Sequence, residues 1–398
     1  MPSLNSNQRV LLISSNSSGR GGGERYLVHL AEALGQLKVD VHALLSDVEY
    51  MDDWESGLSE ANAEVHRLPL KGLVHRKLRF VQSIYAKAQQ KQISAKCVEI
   101  APTAILVNQQ YDEDGLDYIM GALDAKVCPV AGVIHMPMTQ HKNDRPMGRV
   151  RGVILRRWYN RYPYKIVLSS VGGEAEFSNY YGSHLNTSIV VSGVPLEQKQ
   201  IDRIDAMQRL QDPWITASMS APRLPVVGTA CQFVPQKNLD LLVDGWLQST
   251  GSGIKSRLLL IGDGPERERI EQRLSGVDAS LWHTTGWTDK YADYLAQLDV
   301  FLMTSHFEGL PLTLIEVAGM GIPCILVDFN GADEVARQAW WVKVVVDRDA
   351  KTLGAAIQET ICSLGKQKAS ENELATFVAA FSPLRMAREY LDLFADKP

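Results

Sequence analysis

The sequence predicts an α/β protein made of two Rossmann-like, doubly wound domains facing a central cleft. Three observations predict this. A chain of 398 residues, 45% hydrophobic and 22% charged, has the make-up of a globular protein, and its length favours two domains over one. In both halves, short apolar runs bounded by Gly, Pro and polar residues alternate with helical patterns, which builds parallel sheets with helices on both faces. Between the halves lies a polar stretch, Gly193 to Leu224, with three prolines and a short helical pattern near Ile201–Leu210, which reads as an interdomain connection.

Val10–Ser14 opens the first half as a buried strand. Glu24–Leu34 follows as a helix, with Tyr26, Leu27, Leu30, Ala33 and Leu34 at helical spacing. Val39–Leu45, Ala104–Asn108, Val130–His135 and Lys165–Ser169 continue the strands. The second half repeats the theme with strands Pro225–Thr229, Arg257–Ile261, Val300–Thr304 and Pro323–Asp328, and helices such as Asn238–Leu247 and Glu266–Leu274. Open α/β sheets bind ligands outside the carboxyl ends of their strands, so those ends are where functional residues are sought.

The charge balance limits the partners. A net charge of -5 and a pI near 6.0 provide no global attraction for nucleic acid, and none is expected as a partner. Five cysteines, an odd number and without CxxC or Cys/His spacing, suggest neither a disulfide framework nor a zinc site, and fit a reducing compartment. Met1–Arg9 is polar and Val10–Ile13 too short for a signal peptide or a membrane span, so the expected location is cytoplasmic.

The most informative segment is Val300–Asp328, VFLMTSHFEGLPLTLIEVAGMGIPCILVD. A strand ends at Thr304, Glu308-Gly309 lies in a loop, Leu310-Pro311 opens a helix and Glu316 falls inside it. Amides at a helix start favour an anion such as a diphosphate, and carboxylates accept hydrogen bonds from sugar or ribose hydroxyls. Glu-x7-Glu occurs easily by chance, and on spacing alone the plainer reading of Glu316 is a surface helical residue.

With Gly309 after the first Glu and the Gly321-Ile322-Pro323 turn, this segment resembles the donor-site signature of retaining glycosyltransferases of the GT-B architecture, family 4 in particular. Gly228–Leu242, Leu258–Glu266 and Gly286–Leu302 resemble the family's preceding segments in order and spacing, and Gly19–Leu34 its N-terminal glycine-rich loop and helix. Ser192-Gly193-Val194 stands where the family often has Asn-Gly-Val, so the resemblance implies domains at 1–194 and 195–382 and a final helix, 383–398, crossing back to the first.

The resemblance implies roles residue by residue. Glu316 bonds the nucleotide ribose, Glu308 the donor sugar, and Gly309 and Leu310 offer backbone amides. Lys237 meets the diphosphate, where negative charge grows as it departs. Gln232 stands where the family usually has a second diphosphate-binding arginine; it can donate a hydrogen bond but carries no charge. Gly21 to Gly23 form a loop closing over donor phosphate and acceptor, with Gly22 and Gly23 nearest; Glu24 occupies the last glycine position of a dinucleotide fingerprint, so that reading fails. A flexible turn serving helix packing is the other reading of these glycines. His135 matches a histidine that many members hold near the donor sugar, with His141 a weaker second. No metal or other cofactor is expected: Asp112-x-Asp114 and Asp347-x-Asp349 could hold a cation, but the latter precedes a helix as a cap does, and the architecture typically works without one.

Two basic stretches remain. Val65–Val98 has Arg67, Lys71, Arg76, Lys77, Arg79, Lys87, Lys91 and Lys96 without an acid. Lys142–Lys165 interleaves Arg145, Arg149, Arg151, Arg156, Arg157 and Arg161 with aromatics. Arg156, Arg157 and Trp158 are expected to form an acceptor or anionic membrane surface, where each basic residue contributes about 1 kcal/mol. A solvated helix face over core aromatics would produce the same pattern.

The reading is a retaining glycosyltransferase moving a sugar from a nucleotide-diphosphate sugar to a glycan or lipid-linked acceptor in surface polysaccharide or glycolipid synthesis, peripheral at the inner membrane face. A synthase or phosphorylase acting on a soluble phosphate or phosphosugar would use similar residues. Gln232 also admits a non-catalytic scaffold in a glycan assembly complex.

Overall fold

The computed structural model describes residues 8–15, 21–70, 83–137, 147–196, 201–218, 223–251, 253, 255–366 and 368–395. The chain forms two compact units, Met1–Val194 with Phe381–Pro398, and Pro195–Ala380.

The first unit holds a seven-stranded sheet of β1 (Arg9–Ser14), β2 (Asp40–Ser46), β3 (Glu64–Leu68), β4 (Ala104–Tyr111), β5 (Val130–Met136), β6 (Lys165–Leu168) and β7 (Thr187–Ile189). Their order is β3-β2-β1-β4-β5-β6-β7, with every pair parallel. Leu11, Leu12 and Ile13 of β1 are fully buried, as the central strand of a sheet covered on both faces must be. Burying each such side chain stabilises the fold by roughly 1.5–3 kcal/mol. Strand order reverses between β1 and β4, the switch point at which ligands of open α/β sheets bind.

The last helix, Pro383–Ala395, belongs to this unit and packs on the helix Gly22–Gln36, where the Tyr26 and Tyr390 hydroxyls bond to one another. The Val194 amide donates to the Phe381 carbonyl at 2.9 Å.

The second unit repeats the plan in six parallel strands: β8 (Val226–Ala230), β9 (Arg257–Ile261), β10 (Trp282–Thr284), β11 (Val300–Met303), β12 (Cys324–Val327) and β13 (Val342–Val345). Their order is β10-β9-β8-β11-β12-β13, with the switch point between β8 and β11. The polar connection contains two helices, Arg203–Leu210 and Pro213–Ser218, within this unit. Asp299 anchors it, accepting from Arg203 Nη1 at 2.8 Å, Arg223 Nη2 at 2.6 Å and the Val226 amide at 2.7 Å.

Four strands lie outside those expected from sequence: β3, β7, β10 and β13. They are the edges of the two sheets. Edge strands pair on one side only and are partly exposed here, so they lack the continuous apolar run that marks a central strand.

Candidate functional site

In the second unit, the loops after β8 and β11 flank the switch point. Thr304 Oγ1 donates to the carbonyls of Lys237 and Asn238 at 3.1 and 3.0 Å, joining the end of one strand to the loop of the other. The His306 amide donates to the Gln236 carbonyl at 2.8 Å, and Gln236 Nε2 to the Phe307 carbonyl at 2.9 Å. These bonds bring together Lys237 and Glu308, 71 residues apart, with Lys237 Nζ 2.5 Å from Glu308 Oε1. Ser305 Oγ donates to the same oxygen at 2.7 Å. Glu308 is buried and Lys237 half-buried, so the pair is well shielded from salt.

Glu316 lies in the helix Leu312–Gly319 with 0% of its surface exposed, which removes the surface reading of this residue. Tyr291 donates its hydroxyl to Glu316 Oε1 at 3.1 Å. Gly309 and Leu310 are buried ahead of the helix. Gly331 backs them with φ +84; a Cβ there would sit 2.2 Å from the Gly309 carbonyl oxygen. Gly262 serves the neighbouring loop in the same way, at φ +131 with a built Cβ 2.0 Å from the Cys231 carbonyl oxygen. Only glycine lets backbone approach backbone this closely in the left-handed region. Gln232 is exposed in that loop, its carbonyl accepting from the Val234 amide at 2.9 Å.

At the first unit's switch point two neutral side chains, His135 and Asn108, meet beside Gly23. His135, at the end of β5, lies 2.6 Å from Asn108 Oδ1 through its Nε2. Asn108 Nδ2 donates to the Gly23 carbonyl at 3.2 Å, which assigns the Asn108 oxygen as acceptor and His135 Nε2–H as donor. The Tyr26 ring packs edge-on to the imidazole at 4.7 Å. Burial lowers the His135 pKa to about 4. Gly23 leaves little room: a Cβ would meet Asn108 Nδ2 and Gln110 Oε1 at 3.3 Å and His135 Cδ2 at 3.4 Å. Gly22, exposed, opens the helix. His141 lies outside the described residues.

Asp112, Glu113, Asp114 and Asp349 have structural partners, and Asp347 is exposed. Asp112 accepts from the Tyr181 hydroxyl, Glu113 pairs with buried Arg151, and Asp114 Oδ2 accepts from the Tyr111 amide at 3.3 Å. Asp349 caps the helix Ala350–Ser363 through the Thr352 amide at 2.9 Å. Burial pushes the Cys97 and Cys128 thiols to about 12 and Cys231 to about 11, which leaves them poor nucleophiles near neutral pH.

Trp158 is not a surface residue. In the helix Gly148–Arg161, residues 151, 152, 155, 158 and 159 form the buried stripe, and Trp158, 4% exposed, packs against Tyr159, Tyr162 and Tyr164. Arg156 and Arg157 face solvent, Arg156 with its guanidinium 5.6 Å from the Tyr180 ring centre. Exposed Met147, Val150 and Val153 join them with Arg149 and Arg161. In the first basic stretch Arg67 pairs with Glu55 and Asp52, and Lys96 with Glu99. Lys71, Arg76, Lys77, Arg79, Lys142 and Arg145 lie outside the described residues. Among the described residues, no helix is long and apolar enough to cross a membrane.

Sequence reasoning missed Asn108, Ser305, Thr304 and Tyr291. Thr304 and Ser305 carried a positional signal, just beyond the carboxyl end of β11 beside a switch point, and Asn108 lies within β4, opposite the last residue of β1; Tyr291 comes from a separate short helix and carried none.

Two Rossmann-like units with these switch points define the GT-B architecture. HepE from Anabaena, solved in complex with UDP and glucose, superposes with a TM-score of 0.73 over 98% of this chain and 100% of that one, at 16% identity. Residues 222–363 match the glycosyl transferases group 1 family model. A lipopolysaccharide core biosynthesis glycosyltransferase, LpsE from Rhizobium meliloti, is 28% identical over 176 residues, 44% of this chain and 51% of its own. The UDP-Gal:alpha-D-GlcNAc-diphosphoundecaprenol alpha-1,3-galactosyltransferase of Escherichia coli is 39% identical over 226 residues, 54% of this chain and 56% of its own. The matched segments thus span about half the length of these relatives.

Proposed function

We propose that the protein is a retaining glycosyltransferase that moves a sugar from a nucleotide-diphosphate sugar to a glycan or lipid-linked acceptor in the synthesis of a surface polysaccharide or glycolipid. The observation that carries this reading is the Lys237–Glu308 pair at the second unit's switch point, with Glu316 buried in the helix that follows. Without donor, each charge neutralises the other. With donor, Lys237 transfers to the diphosphate and Glu308 to sugar hydroxyls, so the pair dissolves into two ligand contacts and neither charge is left buried alone. Glu316, oriented by Tyr291, accepts from the ribose hydroxyls.

In the transfer, the bond from the anomeric carbon to the diphosphate oxygen breaks and a bond to the acceptor oxygen forms on the same face. The acceptor proton passes to the departing diphosphate. Lys237 and the amides of Gly309 and Leu310 stabilise the charge growing there, which is the part of the reaction that most benefits from preorganised dipoles. No metal is invoked, because these groups supply the positive potential. The same-face course is supported by the family resemblance. For His135, whose Nε2–H is committed to Asn108, a role near the donor sugar is supported by the family resemblance alone.

Peripheral attachment to an anionic cytoplasmic membrane face is supported by exposed Arg149, Arg156, Arg157 and Arg161 beside Met147, Val150 and Val153.

The test is calorimetry with nucleoside diphosphates and nucleotide sugars on wild type and Glu316→Ala. Binding of one nucleotide by wild type and its loss in the variant is expected; no binding by wild type overturns the donor site. Product anomeric configuration by NMR checks retention. Equal sedimentation with neutral and anionic vesicles removes the membrane face.

A further inference from the structure

At the amino ends of β2 and β3, the opposite end of the first sheet from His135, a cluster has no part in the proposed reaction. The two strands carry the same acid-Val-His pattern, Asp40-Val41-His42 and Glu64-Val65-His66. Glu64 stands opposite His42 in the parallel register, and strand alternation puts His66 on the same face as Glu64. Three ligand groups therefore converge: His42 Nδ1 is 2.9 Å from His66 Nε2 and 3.8 Å from Glu64 Oε2, and His66 Nε2 is 3.7 Å from Glu64 Oε1.

We propose that His42, Glu64 and His66 form a binding site for a divalent transition metal of the zinc class, with three protein ligands and water completing the shell. A tetrahedral ion with bonds of about 2.0–2.2 Å holds its ligand atoms roughly 3.3–3.6 Å apart, so the cluster needs adjustments of about half an ångström. An imidazole–imidazole hydrogen bond accounts for the 2.9 Å contact, and the Glu64 carboxylate adds a negatively charged oxygen toward each ring. The outer contact is also that of a ligated histidine. Asp40 Oδ1 is 3.4 Å from His42 Nε2, which orients the ring with Nδ1 toward the cluster. Two neighbouring cations are neutralised, Arg9 by Asp40 at 2.6 Å and Lys96 by Glu99 at 2.7 Å. The rings of His42 and His66 are mostly buried and Glu64 is exposed, so an ion enters from the Glu64 side. Bound there, it ties edge strand β3 to β2.

The test is calorimetric titration of zinc sulfate into the tag-free full chain after stripping with chelator. One equivalent of zinc and a raised Tm are expected for wild type and for His184→Ala, an exposed histidine elsewhere. Glu64→Gln should weaken binding at least tenfold and His66→Ala abolish it. Should His66→Ala fail to fold by circular dichroism, Glu64→Gln, changed at an exposed side chain, decides alone. No stoichiometric uptake by folded wild type, or equal uptake by Glu64→Gln, overturns the site.

Discussion

The two units share the strand order 3-2-1-4-5-6 and differ in what they place at the reversal. In the second unit the switch point holds a shielded ion pair and a buried carboxylate, Lys237, Glu308 and Glu316. In the first it holds an imidazole, a carboxamide and a close-fitting glycine, His135, Asn108 and Gly23, with the imidazole kept neutral by burial. One scaffold thus presents a charged seat suited to a diphosphate and a neutral one suited to hydroxyls. The difference lies in a few side chains around the strand ends and not in the strand order, as expected where fold and function are separable.

The sharpest way to break this contrast is to remove the charge from the second unit. Lys237→Ala should lower kcat about 10²–10³-fold, as loss of a single oxyanion-stabilising donor does, with circular dichroism unchanged. A fall as large in Asn108→Ala would erase the distinction between the seats. Next comes the backbone beneath the charged seat: Gly331→Ala should cost about 2 kcal/mol and lower Tm by several degrees in calorimetric melts, because φ +84 and the Gly309 carbonyl both exclude a Cβ.

The neutral seat predicts a pH effect. His135 has a folded pKa of about 4, below its unfolded value near 6.5, so the unfolded state binds the proton first. Its contribution is intact above about pH 6.5 and is lost as pH falls toward 4. His135→Gln should therefore lose less Tm than wild type between pH 6.5 and 4.5; parallel curves would show that the imidazole is not held neutral. The smallest effect is expected from Gln232→Arg, which adds a charge at an exposed position of the charged seat and should raise kcat a few-fold; a decrease would mean that the glutamine makes a contact of its own.

The strands read correctly from sequence are the central ones, where burial on both faces writes an unbroken apolar run such as Val10–Leu11–Leu12–Ile13. Edge strands such as Glu64–Leu68 alternate charged and apolar residues, and their identity depends on a neighbour that the local pattern does not contain. Among the residues of the proposed site, Glu308, Glu316 and Lys237 stand out in the sequence because they sit in an ordered run of resembling segments. Tyr291 was not, because it reaches Glu316 from a separate short helix. Trp158 departs from the expected surface because Leu155 and Tyr159 share its buried stripe at helical spacing, while the arginines between them face solvent.

The return of Pro383–Ala395 to the first unit has a consequence for synthesis. The surface of the helix Gly22–Gln36 that carries Tyr26 emerges from the ribosome early, and Tyr390 follows 364 residues later. At about 5–20 residues per second that apolar face waits tens of seconds for its cover. All of Pro195–Ala380 is translated in that interval, so the unit begun first is completed last.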